Sequence, residues 1–182
     1  PVLMTPLIKE SVLYGLAWVA LSAGLYFIDP LLTQKPGVGF GIFALNVAGM
    51  IWIAIRERQL RGGYMSYWPA WRVLTAISLI AGAFSLLWTV LLFQVIDPDY
   101  QQMLYETAIE QQLIQMEEQG ISDAQIEQSM GLMEGMMQFF TSMGGILLML
   151  VLGLGFGLLL NMLWALIVRR EKPFNEALDG DF

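Results

Sequence analysis

Residues 97–142 read DPDYQQMLYETAIEQQLIQMEEQGISDAQIEQSMGLMEGMMQFFTS, and they separate two long uncharged hydrophobic runs of the chain. This segment holds nine carboxylates, and no Lys or Arg occurs between Arg72 and Arg169. Hydrocarbon disfavours a stretch so rich in charge and glutamine, whereas long uncharged runs are typical of membrane-spanning helices. The segment therefore predicts a membrane-anchored protein with a polar insert outside the bilayer.

The composition of the whole chain supports a membrane protein. Hydrophobic residues make up 57% of the 182 positions and charged residues only 14%, whereas soluble domains carry about 25% charge. The net charge of −7 argues against nucleic acid as a partner, because phosphate binding needs a basic surface.

The chain contains neither Cys nor His. Their absence removes thiolate nucleophiles, iron–sulfur ligands, imidazole ligands for haem and zinc, and the usual catalytic triads. We therefore expect no enzyme and no cofactor.

Four hydrophobic runs predict four transmembrane helices at about 11–28, 38–55, 73–96 and 143–168, within one membrane domain covering 1–182. The shortest runs have 18 residues and rise about 27 Å as a helix, close to the thickness of a bilayer core. We expect the first run to be retained rather than cleaved, because Pro1 is a poor first residue after signal cleavage. The predicted fold class is an all-α membrane protein with an extracytoplasmic amphipathic helical hairpin between spans 3 and 4.

The positive charges are distributed unevenly between the two sides that four spans create. The side of the termini holds eight basic residues and the other side only Lys35. Because basic residues stay in the cytoplasm, we expect both termini in the cytoplasm of a bacterial cell, the spans in its cytoplasmic (inner) membrane, and 97–142 outside the cytoplasm. The eight are Lys9, Arg56, Arg58, Arg61, Arg72, Arg169, Arg170 and Lys172.

The insert predicts two antiparallel helices, at about 99–119 and 123–140. Apolar residues recur every three or four positions in each half, which indicates helices with one apolar face. Gly120 is a candidate C-cap, and Ser122 with Gln125 has the form of a capping box. The two apolar stripes are Tyr105, Ile109, Leu113 and Met116, then Ile126, Met130, Met133, Met137 and Phe140.

Residues 56–72 predict a basic loop that lies along the membrane interface. Gly62 and Gly63 are its flexible point, and aromatic residues follow in the sequence YMSYWPAW at 64–71. Trp and Tyr collect at headgroup depth, so this cluster favours an interfacial belt over a ligand pocket.

Three stretches carry a resemblance to a known family: LRGG at 60–63 with Ser66, EEQGISDAQIE at 117–127, and ALIVRRE at 165–171. With the order of spans, they resemble a small bacterial four-span membrane family catalogued as a domain of unknown function, family 4199. The resemblance covers nearly the whole chain and implies the four-span topology. It brings no catalytic residue.

Asn46 and Asn161 are the most polar residues in the middle of the predicted spans. They are expected to meet across spans 2 and 4, either as a hydrogen bond between helices or as the polar lining of a small-molecule path. Gly153 and Gly157 form a GxxxG pattern that predicts close helix packing, within the chain or against another subunit.

Met130, Met133, Met136 and Met137 have the spacing M-x-x-M-x-x-M-M. Thioethers bind Cu(I) in such patterns, although the same residues serve equally as apolar contacts. The clustered carboxylates lack the spacing of a known calcium loop.

The leading functional prediction is a non-enzymatic accessory or assembly subunit, or a scaffold, that binds other membrane proteins or its own copy. The proposed contact residues are Leu132, Met136 and Phe139, apolar positions that the seam of one hairpin does not cover. The alternatives are a small channel or uncoupled transporter, and copper handling outside the cytoplasm.

Overall fold

The computed structural model describes residues 4–122, 125–126, 129–132, 135–136 and 143–172. Five long helices lie within these ranges. A 3₁₀ turn at Leu32–Gln34 precedes the second helix, and a π-helical turn at Leu92–Ile96 continues the third. The helices are α1 Met4–Ile28, α2 Pro36–Leu60, α3 Tyr67–Leu91, α4 Tyr100–Glu118 and α5 Met143–Val168.

Four helical stretches of the described residues are long and apolar enough to cross a membrane. They are Pro6–Ile28, Gly37–Leu60, Tyr67–Ile96 and Val151–Val168. The fold is therefore that of an all-α membrane protein with four transmembrane helices, as the hydrophobic runs predict.

Three helices extend beyond the predicted spans. The first begins at Met4 rather than 11, the second ends at Leu60 rather than 55, and the third begins at Tyr67 rather than 73. The predicted limits stopped at charged residues, but charge does not end these helices. Arg56 Nη1 lies 3.1 Å from Glu10 Oε1, so two of the charges pair between α1 and α2.

Local chemistry explains the turn between α1 and α2. The backbone N–H of Leu31 donates to Asp29 Oδ1 at 3.0 Å, and Lys35 Nζ donates to Asp29 Oδ2 at 3.2 Å. These two hydrogen bonds stabilise the carboxylate and hold the pKa of Asp29 below its usual range. Pro36 then begins α2, at the helix position where its missing N–H costs nothing.

The connection between α2 and α3 is shorter than predicted. Only 61–66 lies outside the helices, so the prediction of a long basic loop over 56–72 was wrong. Gly62 and Gly63 turn the chain within this short distance at φ 92° and 85°, which other residues rarely adopt. Tyr67, Trp68 and Trp71 belong to the first turns of α3.

The π-helical turn at Leu92–Ile96 ends the third span. The N–H of Asp97 donates to the carbonyl of Leu92 at 2.8 Å, a bond five residues back along the chain. Pro98 follows and disfavours helical backbone in the residue before it, and Asp97 is accordingly extended at φ −147° and ψ 82°.

The chain divides into two compact units, Pro1–Val90 with Gly157–Phe182, and Leu91–Phe156. The core of the first unit combines residues from the start of α1, the second half of α2, the first half of α3 and the end of α5. Its buried members are Leu7, Met50, Ile53, Ala54, Met65, Ala70, Val73, Leu74, Ile77, Ala165 and Val168.

The second unit contains α4 and the described part of the insert. The N–H of Gly120 donates to Glu117 and that of Ile121 to Met116, at 3.0 and 3.1 Å. This pair of bonds is a Schellman motif, and with Gly120 at φ 71° it confirms the predicted C-cap. The Ser122 carbonyl accepts bonds from Gln125 and Ile126, while its hydroxyl contacts Gln125 Oε1 at 3.2 Å. The antiparallel hairpin itself stays a prediction.

Candidate functional site

A groove of about 250 Å³ lies between the four spans in the first unit. Every span contributes to its wall, and the middle of each helix supplies the lining. The lining residues are Tyr14, Trp18, Phe43, Asn46, Val47, Met50, Ser78, Ala81, Gly82, Ser85, Gly157, Leu160, Asn161 and Trp164.

A polar network connects α5 to α3 at this groove. Asn161 Nδ2 donates to Ser78 Oγ at 2.9 Å, and the Ser78 hydroxyl donates to the carbonyl of Leu74 at 2.9 Å. Asn161 is only 2% exposed. A buried amide needs hydrogen-bond partners, so this bond fixes the rotation of α5 against α3.

A second hydrogen bond at the groove joins α1 to α2. The Tyr14 hydroxyl donates to the backbone carbonyl of Asn46 at 2.8 Å, and the Tyr14 ring lies 6.2 Å from that of Trp18. Asn46 and Asn161 thus line the same groove, but each is joined to a different helix. The expected bond between the two asparagines is replaced by the bond from Asn161 to Ser78, because α3 supplies a hydroxyl within reach.

The glycines divide into two groups by what surrounds them. A Cβ added to Gly153 or Gly157 would meet no atom of the described residues within 4 Å. A Cβ at Gly15 would lie 2.7 Å from the Phe84 ring, and one at Gly49 would lie 2.7 Å from the Tyr14 ring. The close packing in the first unit therefore involves Gly15 and Gly49, which do not belong to the GxxxG pattern of α5.

Hydrogen bonds near the basic residues hold the C-terminal ends of α2 and α5 together. Arg58 Nη1 donates to the carbonyl of Val168 at 2.6 Å, which satisfies one of the free carbonyls at the end of α5. The backbones of Met65 and Arg170 exchange two hydrogen bonds of 2.8 Å. Glu57 is 3% exposed and pairs with Arg61 at 2.8 Å.

The model of one protein family, described as "Protein of unknown function (DUF4199)", matches residues 9–170. This chain belongs to the DUF4199 family. No curated protein and no solved structure matches it. The DUF4199 match includes every lining residue of the groove and ends at Arg170, whose backbone pairs with Met65.

The DUF4199 match also includes the insert, where apolar side chains face outward. Leu132 is 66% exposed and Met136 is 57% exposed, while Phe139 lies outside the described residues. Ile114 on α4 is 50% exposed. Leu104, also in the insert, is half-buried.

Copper binding by the methionines stays a prediction. Met130 is half-buried and Met136 is exposed, while Met133 and Met137 lie outside the described residues. Among the ranges that the structure describes, no group of three or more Asp and Glu side chains is arranged to hold a metal ion.

Proposed function

We propose that this DUF4199 protein is a non-enzymatic accessory subunit or scaffold that binds other membrane proteins, or its own copy, through the insert. The family match supplies no activity, and the proposal comes from the surface of the chain itself.

The observation that carries the proposal is the exposure of Ile114, Leu132 and Met136, at 50%, 66% and 57%. All three lie outside the four candidate spans. Exposed apolar side chains within a span have lipid as a ready contact, whereas these three, outside the spans, need another surface to cover them. Exposed apolar surface bordered by polar residues is typical of protein contacts, and Met adapts to the surface it meets.

Gly153 and Gly157 of α5, where an added Cβ would meet no described atom, are consistent with a partner role. Gly lowers helix stability by about 1 kcal/mol relative to Ala. Gly153 gains no close contact with the described residues in return. Small residues let a helix backbone approach another closely in a membrane, so this face suits a helix of another subunit.

The location of the insert follows from charge. We place both termini in the cytoplasm and 97–142 outside it, with the spans in a bacterial cytoplasmic membrane, because eight of the nine basic residues lie on one side of the predicted topology. The pairings of Arg56 with Glu10 and of Met65 with Arg170 support this, because they bring the start of α1, the α2–α3 turn and the end of α5 to one end of the first unit.

The experiment uses the full chain carrying a photoreactive benzoylphenylalanine at Ile114 in living cells. We expect a crosslink to one membrane protein, or to a second copy, that co-purifies in mild detergent. Replacing Leu132 and Met136 with Gln should reduce the crosslinked fraction at least about tenfold, equivalent to about 1.4 kcal/mol.

The matched control replaces Gln111 and Gln112 with Ser, since both are exposed polar residues of the same insert. This control should leave the crosslink unchanged. A protein that is monomeric in mild detergent and gives no crosslink would contradict the proposal. A crosslink that both double replacements reduce equally would contradict it as well.

A further inference from the structure

The walls of the groove carry no formal charge. None of its fourteen lining residues is Asp, Glu, Lys or Arg. A charged occupant in the middle of a bilayer would need an opposite charge or water beside it, and its transfer without one is costly. An occupant of this groove is therefore uncharged.

The same walls hold hydrogen-bonding capacity that the described residues do not use. A side-chain amide has two N–H donors and an oxygen with two lone pairs. Asn161, only 2% exposed, makes one side-chain bond, to Ser78. Asn46 lines the groove, and within the described ranges the structure gives its side-chain amide no hydrogen-bond partner. Amides with unused donors and acceptors beside hydrocarbon favour an occupant that both donates and accepts.

The size and shape of the groove narrow the class of occupant. Its volume of about 250 Å³ lies below the range of drug-sized pockets. Phe43 is 48% exposed and Gly82 is also exposed, so the groove opens on the surface that lipid covers. Aromatic rings of Tyr14, Trp18 and Trp164 line it.

We infer that this groove binds the head of an uncharged lipid alcohol, with the hydrocarbon chain leaving past Phe43 into the bilayer. A hydroxyl donates one hydrogen bond and accepts others, which matches the unused donors and acceptors of the two amides, whereas a carbonyl only accepts. The inference does not depend on the proposed partner role of the insert, because every lining residue belongs to the first unit.

The test uses a long-chain primary alcohol that carries a diazirine near its hydroxyl, added to the purified full chain in phosphatidylcholine vesicles. After illumination, mass spectrometry locates the adducts. We expect adducts on the peptides that contain Tyr14 and Trp164, and we expect unlabelled alcohol to remove them. Two matched diazirine probes, a primary amine and an alkane without a head group, should label these peptides at least about tenfold less, a difference of about 1.4 kcal/mol.

Two glycines provide a blocking variant and its control. Gly82 lines the groove and Gly24 does not, yet a Cβ on either meets open space among the described residues. Gly82→Leu should remove the adducts, and Gly24→Leu should retain them. Gly157→Leu provides a second blocking variant on α5 if Gly82→Leu does not fold, since its Cβ position is also open.

Asn46→Leu tests hydrogen bonding to the occupant separately from the room that the groove offers it. It should remove the preference for the alcohol over the alkane while leaving the helix content unchanged. Three results would each overturn the inference. Equal labelling by alcohol and alkane in the unmodified protein would mean that the groove is an apolar crevice, and labelling that survives both blocking variants would mean simple partition of the probe into the bilayer. If a crosslinked second copy of the chain excluded the probe, the groove would be a contact between subunits.

Discussion

Replacing Gly49 with Ala should destabilise the bundle, although Ala is the better helix former. The new Cβ would lie 2.7 Å from Cε2 of Tyr14, so the ring must move. The Tyr14 hydroxyl donates to the Asn46 carbonyl at 2.8 Å, one turn before Gly49, and a displaced ring gives up that bond. Gly41 provides the control on the same helix, because a Cβ there meets no described atom within 4 Å.

The magnitude follows from three contributions. Overpacking costs about 1–3 kcal/mol and a lost hydrogen bond between membrane helices about 0.6 kcal/mol. Gly→Ala returns up to about 1 kcal/mol of helix propensity, but it does so in both variants. Gly49→Ala should therefore be less stable than Gly41→Ala by roughly 1.5–3.5 kcal/mol.

The assay is reversible unfolding in mixed micelles of increasing denaturing detergent, followed by circular dichroism. A double-mutant cycle isolates the cause, because Tyr14→Ala removes the ring that the new Cβ would meet. In that background Gly49→Ala should cost no more than Gly41→Ala. An equal penalty for Gly49→Ala with and without the Tyr14 ring would refute this account of the packing.

Three further predictions concern topology, the buried amide and pH. Single cysteines at Ser66 and Gln112 should differ in intact cells, with a membrane-impermeant maleimide labelling Gln112 only; labelling of Ser66 would reverse the proposed orientation. Asn161→Leu should lower stability in detergent by less than about 2 kcal/mol, the upper end for such bonds, and a larger loss would show that the amide holds more than one bond. The N–H of Leu31 lowers the pKa of Asp29 most, and Lys35 lowers it second. The Asp29 carboxylate therefore stabilises the fold above the pKa that it has in the unfolded chain, and this contribution is lost as the pH falls through the lower pKa of the folded state. Lys35→Met should raise the pKa of Asp29 part of the way in a carboxyl NMR titration, and an unchanged pKa would exclude Lys35 as a cause.

The number and approximate position of the spans follow from sequence because hydrocarbon sets a length and a composition that few other structures meet. The Gly120 cap was equally accessible, since its signal is local. The exact helix ends could not be predicted. Lys9, Glu10 and Arg56 lie within helices, and a charged residue shows only that a helix has reached the membrane surface, not that it stops there.

The hydrogen-bond partners of the residues in the groove could not be predicted from sequence, for a different reason. Asn46 and Asn161 were identified as polar residues within the spans, but which helix each faces depends on the rotation of all four helices. The glycines show the same difficulty. Gly15 and Gly49 pack against rings while Gly153 and Gly157 do not, although all four are glycines in apolar helices. Small residues permit close approach, but the pattern does not tell which neighbour approaches.

The paired backbones of Met65 and Arg170 also set an order of events during biosynthesis. The two residues are 105 positions apart in the chain (170 minus 65). At about 5–20 residues per second, a ribosome needs roughly 5–20 s to make the intervening chain. In the later part of that interval, after Ile96 has been added, the first three spans are made, but the Ala165 and Val168 side chains that complete their core do not yet exist. The core of the nascent bundle therefore stays incomplete until the final span has been synthesised.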